Sequence, residues 1–242
     1  MKIRLLPIYL FLTTSICSAQ KKNYFSVEYG AYFGNANTNI ESNMTSSGFG
    51  DKQVADFFGL FTINTNYPRK EASKSSYRIR AGHQLNNKIA IEAGFGLSYN
   101  GAVSGFDDRT SGGGGGNYLT LASNINTLYI AFVKTDEQKV AGFGIGPAFS
   151  FYKLKTDMNN GNITQNKNYF LPGAMVTGFW NFIHRPSWYM GMRTDFSFTA
   201  PAKISEIKVT NPGNTSIVST FKATKAGSFN GCVTLTAGLR FN

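Results

Sequence analysis

The chain has 242 residues, of which 24 are Lys or Arg and 13 are Asp or Glu, so its formal net charge is +11 at pH 7. With 21 Phe, 12 Tyr and few acids, its composition is unusual for a soluble enzyme. After the N-terminal segment described next, no stretch is apolar for long enough to cross a membrane as a helix. If such a chain enters a membrane after export, it must do so as a closed β-barrel.

The first residues have the three parts of a secretory signal peptide. Residues 1–4 carry two positive charges, residues 5–12 are apolar, and small residues lead up to Ala19. This pattern predicts cleavage after Ala19, which divides the chain into a signal peptide at residues 1–19 and one β-barrel domain at residues 20–242. An N-terminal core helix is the alternative, but the apolar stretch is short and the cleavage-site residues fit export better.

One of the two cysteines lies in the predicted signal peptide and the other in the mature chain. Cys17 lies in the predicted signal peptide, where a lipoprotein-type cut before it is disfavoured because Ile16 occupies a position that is normally small. Removal of the signal peptide leaves Cys232 as the one cysteine of the mature chain. A single cysteine cannot form an intramolecular disulfide, and a cysteine-based zinc site needs several thiolates, so both are excluded.

Eight segments of the remaining chain alternate apolar residues with small or polar ones, as a β-strand with one apolar face does. In the third segment, for example, Phe95 and Leu97 alternate with Gly94 and Gly96. The predicted strands are residues 25–33, 77–82, 89–100, 118–134, 141–151, 169–183, 188–198 and 232–241. The fourth and sixth are apolar on both faces in places, so the sequence leaves their facing undetermined.

The connections between these strands alternate in length: three are short and turn-forming, and four are long and polar. The short ones are residues 85–88, 135–139 and 184–187, and the long ones are about residues 34–73, 103–117, 155–168 and 200–230. Short turns at one rim and long loops at the other are typical of outer-membrane barrels, whose short turns face the periplasm. We therefore predict an all-β fold, an eight-stranded antiparallel up-and-down transmembrane β-barrel with short periplasmic turns and long extracellular loops.

The polar face of these strands carries both acids and bases, which can pair inside a narrow barrel because side chains fill its interior. The predicted interior charge network comprises Glu28, Arg78, Arg80, Glu92, Arg193, Asp195 and Arg240. The other face is rich in aromatic residues, which suits a lipid-facing band. A soluble β-sandwich or lipocalin-like barrel is the alternative, in which the apolar face points inward and the charged face is solvated.

The last predicted strand has the pattern of a barrel-assembly signal. Its apolar set is Val233, Leu235, Ala237, Leu239 and Phe241. The strand is similar to the C-terminal strand that the barrel assembly machinery recognises, although Asn242 follows the aromatic residue. The whole mature chain resembles the small eight-stranded outer-membrane barrels of the outer-membrane protein A and X type, in the versions common in Bacteroidetes. The resemblance implies a monomer in the cell outer membrane, surrounded by outer-membrane lipid and lipopolysaccharide, with the barrel assembly machinery as a partner.

The two histidines are the candidates for acid–base chemistry. His83 and His184 both lie beside predicted periplasmic turns. Lipid A deacylases and acyltransferases, which are also small barrels, place a His and a Ser at the opposite, outer-leaflet end. We therefore predict no enzymatic activity, no catalytic residue, no cofactor and no metal site.

Two features of the predicted loops resemble binding or catalytic sites, but neither predicts one. Asp51, Asp56, Asp107 and Asp108 are loop acids, which are usually solvated or bind divalent ions weakly. The glycine run at residues 112–116 lacks the Lys and Ser or Thr of a phosphate loop, and no helix is predicted after it. It therefore predicts a flexible loop tip.

The long loops are basic. Four lysines of the last loop are predicted contacts for the phosphates and sugar acids of lipopolysaccharide, which attract cations in a salt-dependent way. These lysines are Lys203, Lys208, Lys222 and Lys225. Nucleic acid is the other partner that a basic patch attracts, and we do not predict it because lipopolysaccharide is closer at hand in the outer membrane.

Three functions stay open from the sequence. The first is a non-enzymatic structural, adhesive or ligand-contacting role through the extracellular loops. The second is a narrow channel for small or apolar solutes, since the inner face is rich in glycine, and the third, least supported, is a lipid-modifying enzyme. The apolar segment at residues 56–64 either extends a hairpin above the membrane, folds over the barrel mouth or forms an adhesive surface.

Overall fold

A computed structural model describes residues 22–57, 61–67, 69–70, 74–107, 117–136, 138–159 and 161–242. The predicted signal peptide at residues 1–19, Asp108 and the glycine run at residues 112–116 lie outside these residues. In chain order the elements are β1 (Asn23–Gly34), α1 (Ala36–Ser46), β2 (Asp51–Phe57), β3 (Phe61–Tyr67), β4 (Arg69–Lys70), β5 (Ser75–Gln84), β6 (Ile89–Asp107), β7 (Asn117–Thr135), β8 (Ala141–Met158), β9 (Ile163–His184), β10 (Trp188–Thr199), β11 (Ala202–Ile204), β12 (Ile207–Thr210), β13 (Val218–Phe221), β14 (Thr224–Ala226) and β15 (Phe229–Phe241).

Eight long strands of the described chain form a closed ring. Neighbours in the ring are antiparallel and follow the order β6, β5, β1, β15, β10, β9, β8 and β7, and β7 pairs in turn with β6. A closed ring leaves no strand edge without hydrogen bonds, as a sheet in lipid requires. The predicted eight-stranded antiparallel up-and-down fold is confirmed.

Local side-chain chemistry forms the short turns. The Asn86 side-chain oxygen accepts hydrogen bonds from the backbone N–H groups of Lys88 and Ile89, each at 2.9 Å. The Asp136 carboxylate accepts bonds from the N–H groups of Val140 and Ala141 at 2.7 and 3.0 Å. Such Asx turns reverse the chain within a few residues. The short turns lie at one end of the barrel, together with the start of β1 and the end of β15, and this is the periplasmic end.

An apolar belt surrounds the lower part of the barrel. On the outward face of β7, Leu128, Ile130 and Phe132 are 45–60% exposed, which settles the facing that the sequence left open for this strand. Every strand of the ring contributes to the belt. Examples are Val27, Ile79, Phe95, Ile130, Phe143, Ile145, Trp180, Met190, Leu235 and Leu239. So large an exposed apolar surface is unfavourable in water and indicates a lipid-facing band.

The polarity of the wall reverses above the belt. On the upper part of β7, the inward side chains Leu119, Leu121 and Ile125 are buried and apolar, whereas Asn124 points outward and is exposed. Lys153, which pairs in register with Asn124, is exposed on the adjacent strand. Apolar residues inside and polar residues outside are the arrangement of a protein domain in water. The upper part of the barrel therefore extends beyond the membrane.

This extension corrects two predicted loops. The connection expected at residues 155–168 is largely strand, because β8 continues to Met158 and β9 begins at Ile163. Of the connection expected at residues 103–117, β6 continues to Asp107 and β7 begins at Asn117, and the residues between them lie outside the described chain. The prediction was wrong because polar residues there were taken to mark loops. They mark the water-facing side of strands whose other side is buried.

The remaining predicted loops contain structure of their own. The first loop holds α1 and the two-stranded hairpin of β2 and β3. Of the apolar segment at residues 56–64, residues 56–57 and 61–64 belong to that hairpin, and residues 58–60 lie outside the described residues. Next to it, β4 pairs with the upper part of β6. The fourth loop holds two short β-ribbons, one formed by β11 and β14 and the other by β12 and β13. We call these two pairs the fourth-loop ribbons.

The helix α1 owes its existence to packing. Its sequence is rich in Asn, Thr and Ser, which are poor helix formers, and eleven residues are too few for a stable isolated helix. Ala36, Ile40 and Met44 recur at helical spacing and are fully buried. Gly48 follows with φ of 87°, a left-handed conformation that ends the helix. Among the described residues, no helix is long and apolar enough to cross a membrane.

The belt predicts a depth-dependent cost of charge. Ile130→Lys is expected to lower the free energy of unfolding by about 2–4 kcal/mol, because the new ammonium group would lie in the hydrocarbon. Asn124→Lys, on the same face of the same strand but above the belt, is expected to cost about 1 kcal/mol or less. Urea unfolding in lipid vesicles measures both values, with heat-modifiable electrophoretic migration as the control for folding. Equal costs for the two variants would contradict the position of the belt.

Candidate functional site

A network of buried ion pairs fills the barrel interior at the level of the belt. Arg193 binds Glu92 through two hydrogen bonds of 2.6 and 3.0 Å. Arg80 binds both oxygens of Glu28 and also contacts Asp195. A third arginine, Arg78, donates to Asp195 at 2.8 Å. The network joins strands on opposite parts of the ring, since β10 and β5 are separated by β15 and β1.

The network is electrically balanced and well supported. Three arginines face three carboxylates, which gives no net charge, and the side chains of Arg80, Glu28 and Glu92 are fully buried. The Tyr24 hydroxyl donates to Glu92 at 2.7 Å and the Thr234 hydroxyl to Glu28 at 3.2 Å. Buried charges are tolerated only when paired and hydrogen-bonded in this way. The membrane-level interior is thus closed by charged side chains.

Aromatic rings use the space that the inner glycines leave. A Cβ atom on Gly94 would come within 2.3 Å of the Tyr129 ring, and one on Gly238 within 2.2 Å of the Tyr189 ring. The Arg80 guanidinium in turn lies over the Tyr129 ring at 5.1 Å. Glycine on the inner face therefore gives room to neighbouring rings and does not leave an open passage.

A second closure lies at the extracellular mouth, formed by α1 and the fourth-loop ribbons. We call it the mouth plug. Its apolar centre consists of fully buried side chains from the helix, the loop that follows it, the upper barrel wall and the ribbons. They include Ile40, Met44, Phe49, Leu119, Leu121, Leu154 and Phe221. Dispersion and hydrophobic burial hold this plug together as they hold the core of a domain in water.

Polar anchors fix the plug to the wall. The Asn37 side chain of the helix donates to the backbone carbonyl of Asn100, and the Asn100 side chain donates back to the side-chain oxygen Oδ1 of Asn37 at 2.9 Å. Asn100 lies beside a bulge in β6, where the register with β7 shifts and Gly101 adopts φ of 80°. A left-handed residue is easiest for glycine, so the bulge and its anchor depend on Gly101.

Further asparagines join the helix to the ribbons. Asn43 donates to the backbone carbonyl of Lys222 at 2.6 Å and Asn39 to that of Lys225 at 3.2 Å. On the opposite wall, Asn117 donates to the carbonyl of Val209 at 2.9 Å. These bonds tie the first loop, the fourth loop and the barrel wall into one unit.

Six of the seven residues predicted to form the interior charge network lie in it. The exception is Arg240, which faces inward but at the periplasmic end, where its guanidinium contacts His184 and the backbone carbonyl of Arg185. Arg240 is four residues beyond Thr236, the partner of Glu28 in the register, which is about 14 Å along a strand. Alternation gives the face on which a residue lies but not its depth in the barrel, and this is why Arg240 was misplaced.

The structure also describes the predicted lysines of the last loop, the predicted assembly signal and Asp107. The four lysines of the last loop are exposed: Lys203, Lys208 and Lys225 lie on the fourth-loop ribbons, with Lys203 opposite Lys225 in the register of β11 and β14, and Lys222 lies between β13 and β14. The residues of the predicted assembly signal alternate along β15, with Leu235 and Leu239 63% and 60% exposed in the belt. Asp107 is buried at the upper end of β6.

The histidines lie at the periplasmic end. The His83 ring is 2.8 Å from the side-chain oxygen of Asn23, and the His184 ring contacts Arg240. Burial, and then the Arg240 charge, lower the pKa of His184 below its usual value. Within the described part of the chain, no group of three or more His, Cys, Asp or Glu side chains is placed to hold a metal ion.

Sequence reasoning missed the mouth plug. The spacing of Ala36, Ile40 and Met44 is a helical pattern within an otherwise polar segment and could have indicated α1. The ribbons also leave a signal, since Ile207 and Val209 alternate with Lys208 as in a strand. Both segments are short, so their periodic patterns extend over few residues.

No protein-family model and no curated protein matches the sequence. Twenty chains of solved structures match the fold. The attachment invasion locus protein Ail of Yersinia pestis has a TM-score of 0.46 and 10% identity, over 92% of this chain and 99% of its own. The outer membrane protease OmpT of Escherichia coli has a TM-score of 0.45 and 9% identity, over 95% and 100%. The outer membrane protein OprG of Pseudomonas aeruginosa has a TM-score of 0.40 and 8% identity, over 92% and 98%.

The class of protein follows from the barrel itself. A closed ring of antiparallel strands, an apolar outer belt and a charged interior define a transmembrane β-barrel of the outer-membrane type. The location is the outer membrane, as the sequence predicts. The wall above the belt and the mouth plug together form a folded extracellular half.

The network predicts a strong effect of removing one partner. Arg193→Met leaves the Glu92 carboxylate buried without its main counter-ion, which is expected to lower the free energy of unfolding by about 3–5 kcal/mol. The double variant Arg193→Met with Glu92→Gln is expected to cost less than the sum of the two single changes, because the charges are lost together. Urea unfolding in vesicles measures this coupling. Arg185→Met, at an exposed turn position, is the control, and an equal loss there would contradict the network's role.

Proposed function

We propose that the protein is a non-enzymatic outer-membrane surface protein that contacts ligands or other surfaces through its extracellular half. The observation that carries this proposal is the mouth plug, whose apolar side is buried while its other side faces the medium. A folded extracellular surface suits recognition, because less conformational entropy is lost on binding than with unstructured loops. Membership of the outer-membrane protein A- and X-like barrels of the Bacteroidetes type belongs to the same proposal.

A channel is the less favoured function. A solute would have to displace the mouth plug and then pass the ion pairs among Arg80, Glu28 and Asp195. Water-filled passages are found in barrels with many more strands, since eight strands leave an interior that side chains fill. The two closures therefore support a surface role over conduction.

Lipopolysaccharide is the proposed ligand class at the membrane surface. The four exposed lysines of the fourth loop lie on the extracellular side, and Lys153, Lys155 and Lys167 are exposed on the wall above the belt. On the same wall, Asp157 accepts hydrogen bonds from Lys155 and Thr164. These bonds lower the pKa of its carboxyl group, so Asp157 is charged. We also propose that the protein is a monomer, that the barrel assembly machinery inserts it, and that it has no nucleic-acid partner.

Conductance tests the choice between surface protein and channel. The purified barrel in planar bilayers is expected to give no stepwise current at moderate voltage, because both closures stay in place. The variant that lacks α1 is also expected to give no stepwise current, since the ion network still closes the lower interior. Regular current steps from the intact protein would favour the channel function instead.

Charge removal tests lipopolysaccharide binding. Changing Lys203, Lys208, Lys222 and Lys225 together to Gln is expected to weaken the affinity for purified lipopolysaccharide by about tenfold or more, and to flatten its salt dependence. The control variant removes the same number of positive charges, but at the periplasmic end. It carries Gln at Lys22, Lys88, Lys134 and Arg185, all exposed there. If both variants bind with unchanged affinity, the lysines do not contact lipopolysaccharide.

A further inference from the structure

A small cavity opens at the periplasmic end of the barrel, below the ion network. Its volume is about 30 Å³, enough for a group with a few non-hydrogen atoms. The paired Glu92 and Arg193 lie on its inner side, and Lys139 and Arg240 line it from the turn between β7 and β8 and from the end of β15. None of the functions considered above uses this cavity.

The lining has an excess of positive charge. Among the described residues that line it, Lys139, Arg193 and Arg240 are cationic and Glu92 is the one carboxylate. Both oxygens of Glu92 already accept bonds from Arg193, and one also accepts from Tyr24. Two positive charges therefore remain without a balancing acid in the cavity wall.

The two rim cations are held close together despite their mutual repulsion. The Arg240 guanidinium lies over the Tyr189 ring at 4.9 Å and donates to the carbonyl of Arg185 at 3.2 Å, so neutral groups orient it. Burial and the nearby Arg240 charge lower the pKa of Lys139. Two cations that face one cavity are a common arrangement for holding an anion.

Two buried donors in the lining are unused. Within the described part of the chain, neither the Arg193 Nε–H nor the Thr135 hydroxyl has a hydrogen-bond partner, although the two residues are only 3% and 8% exposed. Buried donors without partners are rare because they lose their hydration without compensation. Both belong to residues that line the cavity.

We propose that this cavity binds a single small oxyanion, a carboxylate or phosphate group, that enters from the periplasm. The Arg193 Nε–H and the Thr135 hydroxyl donate to its oxygens, and Lys139 and Arg240 neutralise its charge. The size of the cavity limits the bound part to the anionic group itself. That group is therefore either a free ion or the end of a longer molecule whose remainder stays in the periplasm.

The test follows the Arg193 side chain directly. The barrel, with ¹⁵N-labelled arginine, is placed in lipid nanodiscs, and sodium acetate replaces sodium chloride at constant ionic strength, because chloride has no pair of oxygens to accept from two separate donors. A saturable shift of the Arg193 Nε resonance is expected with acetate or with phosphate. Lys139→Gln is expected to weaken binding by about tenfold, as the loss of one charge-assisted bond would. Lys134→Gln, an exposed lysine of the same strand end, is expected to leave it unchanged.

A pair of peptides distinguishes the two sources of the oxyanion. Tighter binding of a short peptide with a free C-terminal carboxylate than of its amidated form or acetate indicates the end of a longer molecule. Equal or weaker binding of that peptide indicates a free ion. The proposal is overturned if acetate, phosphate and the free peptide all fail to give a saturable shift. It is also overturned if Lys139→Gln and Lys134→Gln have the same effect, with folding checked by heat-modifiable migration.

Discussion

Closure of the ring between β6 and β7 is the constraint on which the rest of this structure depends. In lipid every backbone N–H and C=O must be bonded within the protein, and a ring of only eight strands meets that need with a narrow interior. The inward charges are then too close together to remain unpaired. The pairing of Arg193 with Glu92 and of Arg80 with Asp195 across the ring is thus a result of closure as well as a support for it.

The same ring of strands lies partly in lipid and partly in water. Below the level of Tyr99 and Lys153 its apolar residues face outward into lipid, and above that level they face inward onto α1 and the ribbons. The strands are continuous across this boundary, so the membrane barrel and the extracellular domain share their backbone hydrogen bonds. A ligand bound at the extracellular surface would therefore contact groups that the barrel strands themselves support.

Alternation with a period of two was enough to predict the fold, the eight strands and the inward face of residues such as Glu28 and Arg193. It was not enough for the upper barrel, because alternation is the same whether the apolar face points to lipid or to a core. Nor did it give depth, which is why Arg240 was placed in the network. The partners of the charges depend on curvature that brings β10 near β5, and α1 depends on contacts that its own weak helical sequence does not encode.

The position of α1 in the chain bears on how this molecule is built. The helix directly follows the first strand, yet Asn39 and Asn43 bind carbonyl groups 186 and 179 residues further on, and the upper wall that surrounds the helix comes from β6 and β7. Closing a chain segment of this length has an entropy cost that must be offset before such contacts form. Helix α1 is therefore covered only in the completed barrel, because the groups that enclose it come from both halves of the chain.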